Sequence, residues 1–95
     1  MTGTEIMRLG TELLRAAGWL VVVFNSNRRS PVKGWVDLAA FKHGVTLLVE
    51  VKGAGDRLRP EQREFADSIG EHLGPGLRYV LARDVAAFLE IAGAC

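Results

Sequence analysis

The stretch that decides the fold is Val45-Thr46-Leu47-Leu48-Val49-Glu50-Val51-Lys52-Gly53. It predicts a buried β-strand, because it is a short apolar run rich in Val, Leu and Thr that lies between two glycines. Side chains alternate between the two faces of a strand, so Glu50 and Lys52 point to one face and the valines beside them to the other. An unpaired charge in a buried strand is costly. We therefore interpret this carboxylate and this ammonium group as part of a functional site.

The composition indicates one small domain that covers residues 1–95. The net charge is only +1, so any attraction to nucleic acid must come from local clusters of positive charge. Cys95 is the only cysteine, which excludes an intrachain disulfide and favours a reducing compartment. No apolar run approaches the length of a membrane span. We expect a cytoplasmic protein without a membrane partner. Because 48% of the residues are hydrophobic, we also expect a homodimer that covers part of the apolar surface.

Periodicity and turn signals predict the order α-β-β-β-α-β-α, which is an α/β fold with a mixed sheet flanked by helices. The strand at 20–24 is apolar throughout and is predicted to be buried, and the strand at 35–41 carries Asp37. Leu73 and Leu89 are predicted to lie on the inward faces of their helices. The predicted helices cover about 3–17, 60–74 and the residues after Asp84, and the last strand covers 77–81.

Asp37 and Glu50 are expected to meet across a hairpin. Lys42-His43-Gly44 predicts a tight turn, and both acids lie at about the same distance from it. Facing side chains on paired strands come within roughly 5 Å, and two carboxylates that close need a cation between them. Oxygen ligands favour Mg²⁺ or Mn²⁺. Lys52 can then orient or deprotonate a water molecule, or stabilise charge on a phosphate. This arrangement suits metal-assisted hydrolysis of a phosphodiester.

Two polar loops supply positive charge beside this site. The loop at 25–34 carries Arg28, Arg29 and Lys33 and no acid, and the loop at 53–59 carries Arg57 and Arg59. A charge run is usually only a solvated loop. Beside a nuclease site, these residues are predicted to bind DNA phosphates without reading the sequence.

Four segments together resemble the VRR-NUC family of the PD-(D/E)XK nuclease superfamily, in family order and over nearly the whole chain. They are Glu5, Gly34-Trp35-Val36-Asp37-Leu38, Val49-Glu50-Val51-Lys52-Gly53 and Leu58-Arg59-Pro60-Glu61-Gln62. The resemblance implies a restriction-endonuclease-like αβββαβ core. Two positions depart from the family pattern: Val36 stands where a proline is usual, and Arg59 stands where a small hydroxyl residue is common. Neither departure removes a catalytic group.

The resemblance also implies an activity, that of a Mg²⁺-dependent endonuclease. Asp37, Glu50 and the backbone carbonyl of Val51 would hold the metal, and Lys52 would handle the water. Gln62 and Glu5 would complete the catalytic site, with Glu5 as a further metal ligand. Small stand-alone members are similar to homodimeric Holliday-junction resolvases, which implies branched DNA as substrate, a role in DNA repair or recombination, and a bacterial or phage-encoded setting.

Simpler interpretations stay open for several of these residues. An E-x-K triplet alone is common as a charge pair on solvated strands, and Gln62 could cap its own helix. Glu5 stands three residues after Thr2, so a capping box would account for it. For the whole chain, one alternative is a non-catalytic DNA- or protein-binding module that keeps the nuclease fold. Another is a small structural partner subunit.

Overall fold

The computed structural model describes residues 1–24 and 32–93. Its elements follow the order α-β-β-β-α-β-α, which confirms the predicted α/β class with a mixed sheet and flanking helices. In chain order they are α1 (Gly3–Ala16), β1 (Leu20–Val23), β2 (Leu38–Lys42), β3 (Val45–Val51), α2 (Pro60–Gly70), β4 (Leu77–Ala82) and α3 (Val85–Gly93).

The first helix begins and ends as its sequence dictates. The Thr2 side chain accepts a hydrogen bond from the Glu5 N–H, and the Glu5 carboxylate accepts one from the Thr2 N–H, which forms a capping box. The helix stops before Gly18, whose φ of +94° is a left-handed conformation that glycine adopts without strain. Ile6 and Leu14 are buried on its inner face.

The hairpin of β2 and β3 turns at His43 and Gly44, which both have positive φ angles, 47° and 81°. Such a turn matches the twist of the flanking antiparallel strands. The register pairs Leu38 with Val49 and Lys42 with Val45, so the strands run antiparallel as predicted. Continued by one residue, this register brings Asp37 opposite Glu50.

The sheet has the strand order β1-β2-β3-β4, with β4 parallel to β3 and the other pairs antiparallel. Helix α2 connects the parallel pair. One face of the sheet packs with α1 and α3 around a core that includes Val49, Val51 and Phe88. The opposite face packs a smaller cluster with α2, built on Val36, Ala39 and Leu48. Because side chains alternate along β3, Glu50 lies on the face that α2 covers.

Two strand predictions need correction. The strand at 20–24 is not buried: β1 is an edge strand, and its side chains Leu20, Val22 and Val23 are 66%, 42% and 46% exposed. An apolar sequence alone does not distinguish an edge strand from a central one. Asp37 is not within a strand either, since β2 begins one residue later at Leu38.

Two helix predictions are also wrong. Helix α2 ends at Gly70, before the predicted stop at Gly74, and Leu73 lies beyond it with 42% of its surface exposed. Leu89 is 54% exposed, because Phe88 is the α3 side chain that is fully buried against α1. Among residues 1–24 and 32–93, no helix combines the length and the apolar character that a bilayer span requires.

The contact of α1 with α3 gives a stability prediction. A Cβ added at Gly10 would lie 2.5–2.6 Å from ring atoms of Phe88, a fully buried side chain, so one of the two helices would have to shift. We expect Gly10→Ala to lower the free energy of unfolding by about 1–3 kcal/mol, a typical cost of overpacking. Thermal and urea denaturation measure this.

The matched control is Gly70→Ala at the end of α2, where an added Cβ meets nothing within 4 Å. There the same substitution should leave the stability unchanged or raise it by up to about 1 kcal/mol. Equal effects of the two substitutions would contradict the close approach of α1 to α3.

Candidate active site

Asp37 is fixed by three hydrogen bonds at the start of β2. Its N–H donates to the Val49 carbonyl (3.1 Å), and its own carbonyl accepts from the Phe24 N–H (2.9 Å). Its carboxylate oxygen Oδ2 accepts from the Val51 N–H at 2.7 Å. The Asp37 carboxylate is thereby held against the main chain of the E-x-K triplet, on the side of the sheet where Glu50 lies.

Glu50 is buried to an unusual degree for a carboxylate, with 1% of its surface exposed. Its Oε1 accepts a hydrogen bond from Gln62 Nε2 at 2.9 Å. Its Oε2 is buried and accepts no hydrogen bond from a donor among the residues that the structure describes. When Glu50 is protonated, it shares a side-chain hydrogen bond with Asp37. A buried acceptor without a partner is costly, so this oxygen is a candidate ligand atom at the centre of the site.

The two acids influence each other strongly. Burial, and then repulsion from the Asp37 carboxylate, raise the pKa of Glu50 to about 8. The positive charges of Lys52 and Arg59 act in the opposite direction and lower the pKa of Glu50. A divalent cation between the two carboxyl groups would reduce the repulsion between them and favour the ionised form of Glu50.

Gln62 links α2 to the acid pair. It is 5% exposed, and its Oε1 accepts from the Arg59 N–H (2.9 Å) while its Nε2 donates to Glu50. The helix-capping role and the contact with the acid are therefore both present. The Arg59 side chain makes no capping hydrogen bond within the described part of the chain, in agreement with the absence of a small hydroxyl residue at this position.

Close packing sets the position of the α2 N-terminus. Gly34 has a φ of +77°, and a Cβ there would collide with the main chain of Glu61. The Trp35 ring makes edge-to-face contacts with Phe24 and Phe65, with ring centroids 5.5 Å and 5.2 Å apart. The segment before Asp37 thus packs directly on the helix that carries Gln62.

Lys52 follows directly after β3 and is half-buried. Its N–H donates to the Ala82 carbonyl at 3.0 Å, which fixes the main chain. In the described part of the chain the ion pairs are Arg8–Glu12 and Arg59–Glu61, so Lys52 is near Glu50 without a direct ion pair. Its ammonium group remains available to a ligand.

The structure does not bring Glu5 to the acid pair. Its carboxylate is exposed and bonded to Thr2, and the hydrogen bonds from the Thr2 main chain and hydroxyl lower the pKa of Glu5. The start of α1 does lie beside the end of the triplet, since a Cβ at Gly3 would be 3.6 Å from the Gly53 nitrogen.

The structure describes three of the five residues that are predicted to bind phosphates. Lys33, Arg57 and Arg59 are exposed, and Arg59 is close enough to the acid pair to act on Glu50. Arg28 and Arg29 lie outside the described residues.

Tyr79 lies near enough to the acid pair to feel its charges, which the sequence did not indicate. It is half-buried on β4, on the face covered by α2, two residues before the partner of Glu50 in the β3–β4 register. Burial, followed by the charges of Glu50 and Asp37, raises the pKa of Tyr79 to about 12. Its hydroxyl therefore keeps its proton at neutral pH. The signal that could have found it is the alternation Leu77-Arg78-Tyr79 along β4.

The donor set fits a hard divalent cation. No group of three or more His, Cys, Asp or Glu side chains is placed to hold a metal in residues 1–24 and 32–93. Asp37 and Glu50 alone would supply two carboxylates, with main-chain carbonyl and water oxygens as further ligands, which is the arrangement that Mg²⁺ favours.

A four-stranded mixed sheet with flanking helices and an acid pair beside an E-x-K strand is the core of restriction-endonuclease-like nuclease domains. Comparison with models of protein families finds a match to the VRR-NUC domain over residues 20–85. The chain belongs to the VRR-NUC family, a family of nuclease-type domains, which confirms the resemblance. The match includes Asp37, Glu50, Lys52 and Gln62 and begins after α1, so Glu5 lies outside it. No curated protein matches the chain significantly.

The raised pKa of Glu50 predicts a pH dependence of stability. Without a divalent cation, the folded chain keeps the Glu50 proton up to a pH of about 8, whereas the unfolded chain releases it near 4.5. The free energy of unfolding should therefore fall as the pH rises through this interval. Glu50→Gln removes the ionisation, so at pH 8.5 in EDTA it should be more stable than wild type by a few kcal/mol, at about 1.4 kcal/mol for each pH unit between the two pKa values.

Urea denaturation of both proteins between pH 5 and 8.5 measures this difference. Glu64→Gln, at an exposed position of α2, is the control and should keep the pH dependence of the wild type. If Glu50→Gln loses stability in parallel with the wild type, Glu50 is not the group that titrates.

Proposed function

We propose that this chain is a Mg²⁺-dependent DNA endonuclease that cleaves phosphodiester bonds in branched DNA, such as Holliday junctions, as a homodimer. The observation that carries the proposal is the acid pair beside Lys52: burial and the facing Asp37 raise the pKa of Glu50, and the buried Oε2 of Glu50 accepts from no donor among the described residues. When bound there, Mg²⁺ would polarise the scissile phosphate and lower the pKa of an attacking water.

The protein's own groups would orient the ligands of this cation. Asp37, Glu50 and the Val51 carbonyl are the proposed ligands. Gln62 Nε2 donates a hydrogen bond to Oε1 of Glu50, which leaves Oε2 for the cation. The Val51 N–H donates to Oδ2 of Asp37, which leaves Oδ1 for the cation. Each carboxylate would thus be held by one oxygen and present the other.

Lys52 would act on the water or on the phosphate. Its ammonium group can orient the attacking water, and it can stabilise the negative charge that builds on the phosphate oxygens. Glu5 remains a proposed participant, and to join the site its carboxylate would have to leave the capping box with Thr2.

A homodimer would place two such sites at a fixed spacing, as cutting two strands of a junction requires. The exposed apolar side chains at the β1 edge of the sheet support a second copy as partner: Leu20, Val22 and Phe41 share one face there and are 66%, 42% and 40% exposed. Light scattering on the purified chain measures the number of copies.

The first test of this function is cleavage by wild type and Lys52→Ala. We expect wild type to cut four-way junctions with Mg²⁺ or Mn²⁺ and not with EDTA. We expect Lys52→Ala to be slower by about 10²-fold or more, the range that positioned proton transfer contributes. Gel assays on branched and linear DNA measure both. Equal rates for the two proteins would refute the enzyme proposal and leave the non-catalytic binding module.

A calorimetric Mg²⁺ titration separates the ligands from the other groups. Asp37→Asn should abolish Mg²⁺ binding, whereas Lys52→Ala should keep it, because an ammonium group is not a ligand. Unaltered binding by Asp37→Asn would exclude Asp37 as a ligand.

The positive loops give a separate prediction about DNA binding. Neutralising Arg28, Arg29 and Lys33 together should weaken binding to every DNA sequence. It should also flatten the slope of log affinity against log salt by about 0.9 for each duplex phosphate that the protein no longer neutralises. The same change at Arg57 and Arg59 should act likewise. Fluorescence anisotropy at several salt concentrations measures both, and an unchanged slope would refute the assignment of these residues to phosphates.

A further inference from the structure

Arg83 is a charged residue next to the loop at 53–59, and the sequence patterns assign no role to it. Its main chain is fixed on both sides. Ala82, the last residue of β4, is fully buried, and Asp84 caps α3 by accepting a hydrogen bond from the Ala87 N–H at 3.1 Å. The Arg83 side chain therefore projects from a rigid point where the sheet ends.

The Arg83 guanidinium group binds the main chain of this loop. Its Nη1 donates to the Asp56 carbonyl at 2.6 Å and makes a longer contact of 3.5 Å with the Gly53 carbonyl. The Asp56 N–H donates to the same Gly53 carbonyl at 3.2 Å, so Arg83 binds both ends of one turn. Among the residues that the structure describes, this side chain forms no ion pair with a carboxylate. Its charged donor is directed at the carbonyls instead, and such hydrogen bonds are stronger than neutral ones.

Arg83 is the main support of the middle of the loop. Within residues 1–24 and 32–93, every hydrogen bond that reaches the main chain of 53–58 from outside the loop comes from Arg83. Gly55, inside the turn, has a φ of +82°, and a glycine leaves the backbone free to adopt many other conformations. The Arg83 bonds thus select one conformation of a segment whose own sequence allows many.

The two ends of the loop are held without Arg83. Before the loop, the Lys52 N–H donates to the Ala82 carbonyl at 3.0 Å. At its other end, the Arg59 N–H donates to Gln62 Oε1 at 2.9 Å. The main chain on either side of the loop therefore keeps its place when the Arg83 bonds are removed.

Arg57 is the residue that the contact affects most directly. The Asp56 carbonyl that Arg83 binds belongs to the planar peptide group that joins Asp56 to Arg57. The Arg57 side chain is exposed, has no ion pair in the described part of the chain, and is one of the residues predicted to bind phosphate. Fixing this peptide group sets the direction in which the Arg57 side chain leaves the loop.

We propose that Arg83 is a positioning residue for DNA binding: it holds the main chain at Arg57 so that the Arg57 guanidinium meets a phosphate beside the acid pair. Arg83 itself does not touch the DNA in this arrangement. The inference rests on the proposed function, because it takes DNA as the ligand. It adds a residue that acts on affinity through another one, and the effect is independent of the DNA sequence, as for any phosphate contact.

Direct contact of Arg83 with a phosphate is the competing role, since its side chain is exposed. The two roles differ in the result of changing Arg83 and Arg57 together. Two separate phosphate contacts contribute independently, so the effects of losing them add. A positioning residue has nothing left to position once the Arg57 side chain is removed, so its own loss has no further effect.

The test is a double-mutant cycle for binding of fluorescent duplex DNA in EDTA, which prevents metal-dependent cleavage. Arg83→Gln and Arg57→Gln should each weaken binding about threefold to tenfold and lower the slope of log affinity against log salt by about 0.9, the value for one duplex phosphate. Arg57→Gln combined with Arg83→Gln should bind like Arg57→Gln alone.

Two control variants separate positioning from a simple loss of charge. Arg78→Gln removes an exposed arginine of β4 whose side chain has no hydrogen bond or ion pair among the described residues, and it should bind DNA nearly as wild type does. Adding Arg83→Gln to Arg59→Gln should lower affinity by the full Arg83→Gln factor, because Gln62 rather than Arg83 holds the Arg59 main chain.

Limited trypsin digestion measures the loop itself, without DNA. Cleavage after Arg57 requires the loop to leave its turn, so this cut should be faster in Arg83→Gln than in wild type or Arg78→Gln. Mass spectrometry identifies the cut. The melting temperatures of the three proteins should be similar, because the Arg83 side chain is exposed and the core is unchanged.

The proposal is overturned if the effects of Arg83→Gln and Arg57→Gln on affinity add, or if either variant binds DNA like wild type. It is also overturned if Arg78→Gln weakens binding as much as Arg83→Gln does, or if trypsin cuts after Arg57 equally fast in wild type and Arg83→Gln.

The outcome is independent of the proposed cleavage activity. If wild type and Lys52→Ala are equally inactive while the cycle shows the expected coupling, the enzyme proposal fails and the role of Arg83 stands. If junctions are cleaved and the effects of Arg83→Gln and Arg57→Gln add, the opposite holds.

Discussion

The structure depends on holding two carboxyl groups side by side, with Glu50 buried and Asp37 partly buried. Glu50 is almost completely buried, and Asp37 adds its repulsion to the cost of burial. Neither side chain would stay there without directional support, which the Val51 N–H gives to Asp37 and the Gln62 amide gives to Glu50. The strand register, the position of α2 and the tight packing at Gly34 all serve to keep these donors in place. The fold thus carries an electrostatic cost that a bound cation would offset.

One face of the sheet forms the main hydrophobic core, and the other face holds the candidate site. The face with α1 and α3 is a continuous apolar core, and it makes the domain stable. The face with α2 holds the acid pair, Gln62, Tyr79 and the row of rings formed by Phe24, Trp35 and Phe65. The rings stiffen the segment that leads into Asp37, so the apolar packing on this face positions polar groups rather than adding a second core.

Much of this arrangement could be predicted from the sequence, because it follows from local rules. The alternation of Val49, Glu50 and Val51 fixes which face the acid enters, and a tight turn at His43 and Gly44 fixes the register that brings Asp37 opposite. The E-x-K spacing and the position of Gln62 are also typical of the VRR-NUC family. The match over residues 20–85 confirms that the chain belongs to this family.

The predictions that proved wrong concern features that depend on contacts between distant segments. The exposure of β1 follows from its place at the edge of the sheet, which its apolar sequence does not reveal. The exposure of Leu89 follows from which α3 side chain meets α1. Tyr79 comes near the acid pair because β4 pairs in parallel with β3.

The crossover through α2 has a consequence for the order of folding. The β2–β3 hairpin is local in sequence and can form in microseconds, whereas Gln62 arrives only when α2 and β4 dock through long-range contacts. During that interval the two acids are already close, but Glu50 has neither its amide donor nor its shelter from water. At neutral pH their repulsion therefore opposes the hairpin before the remainder of the domain can secure it. Protonation of Glu50 removes this repulsion, so the isolated hairpin gains stability as the pH falls.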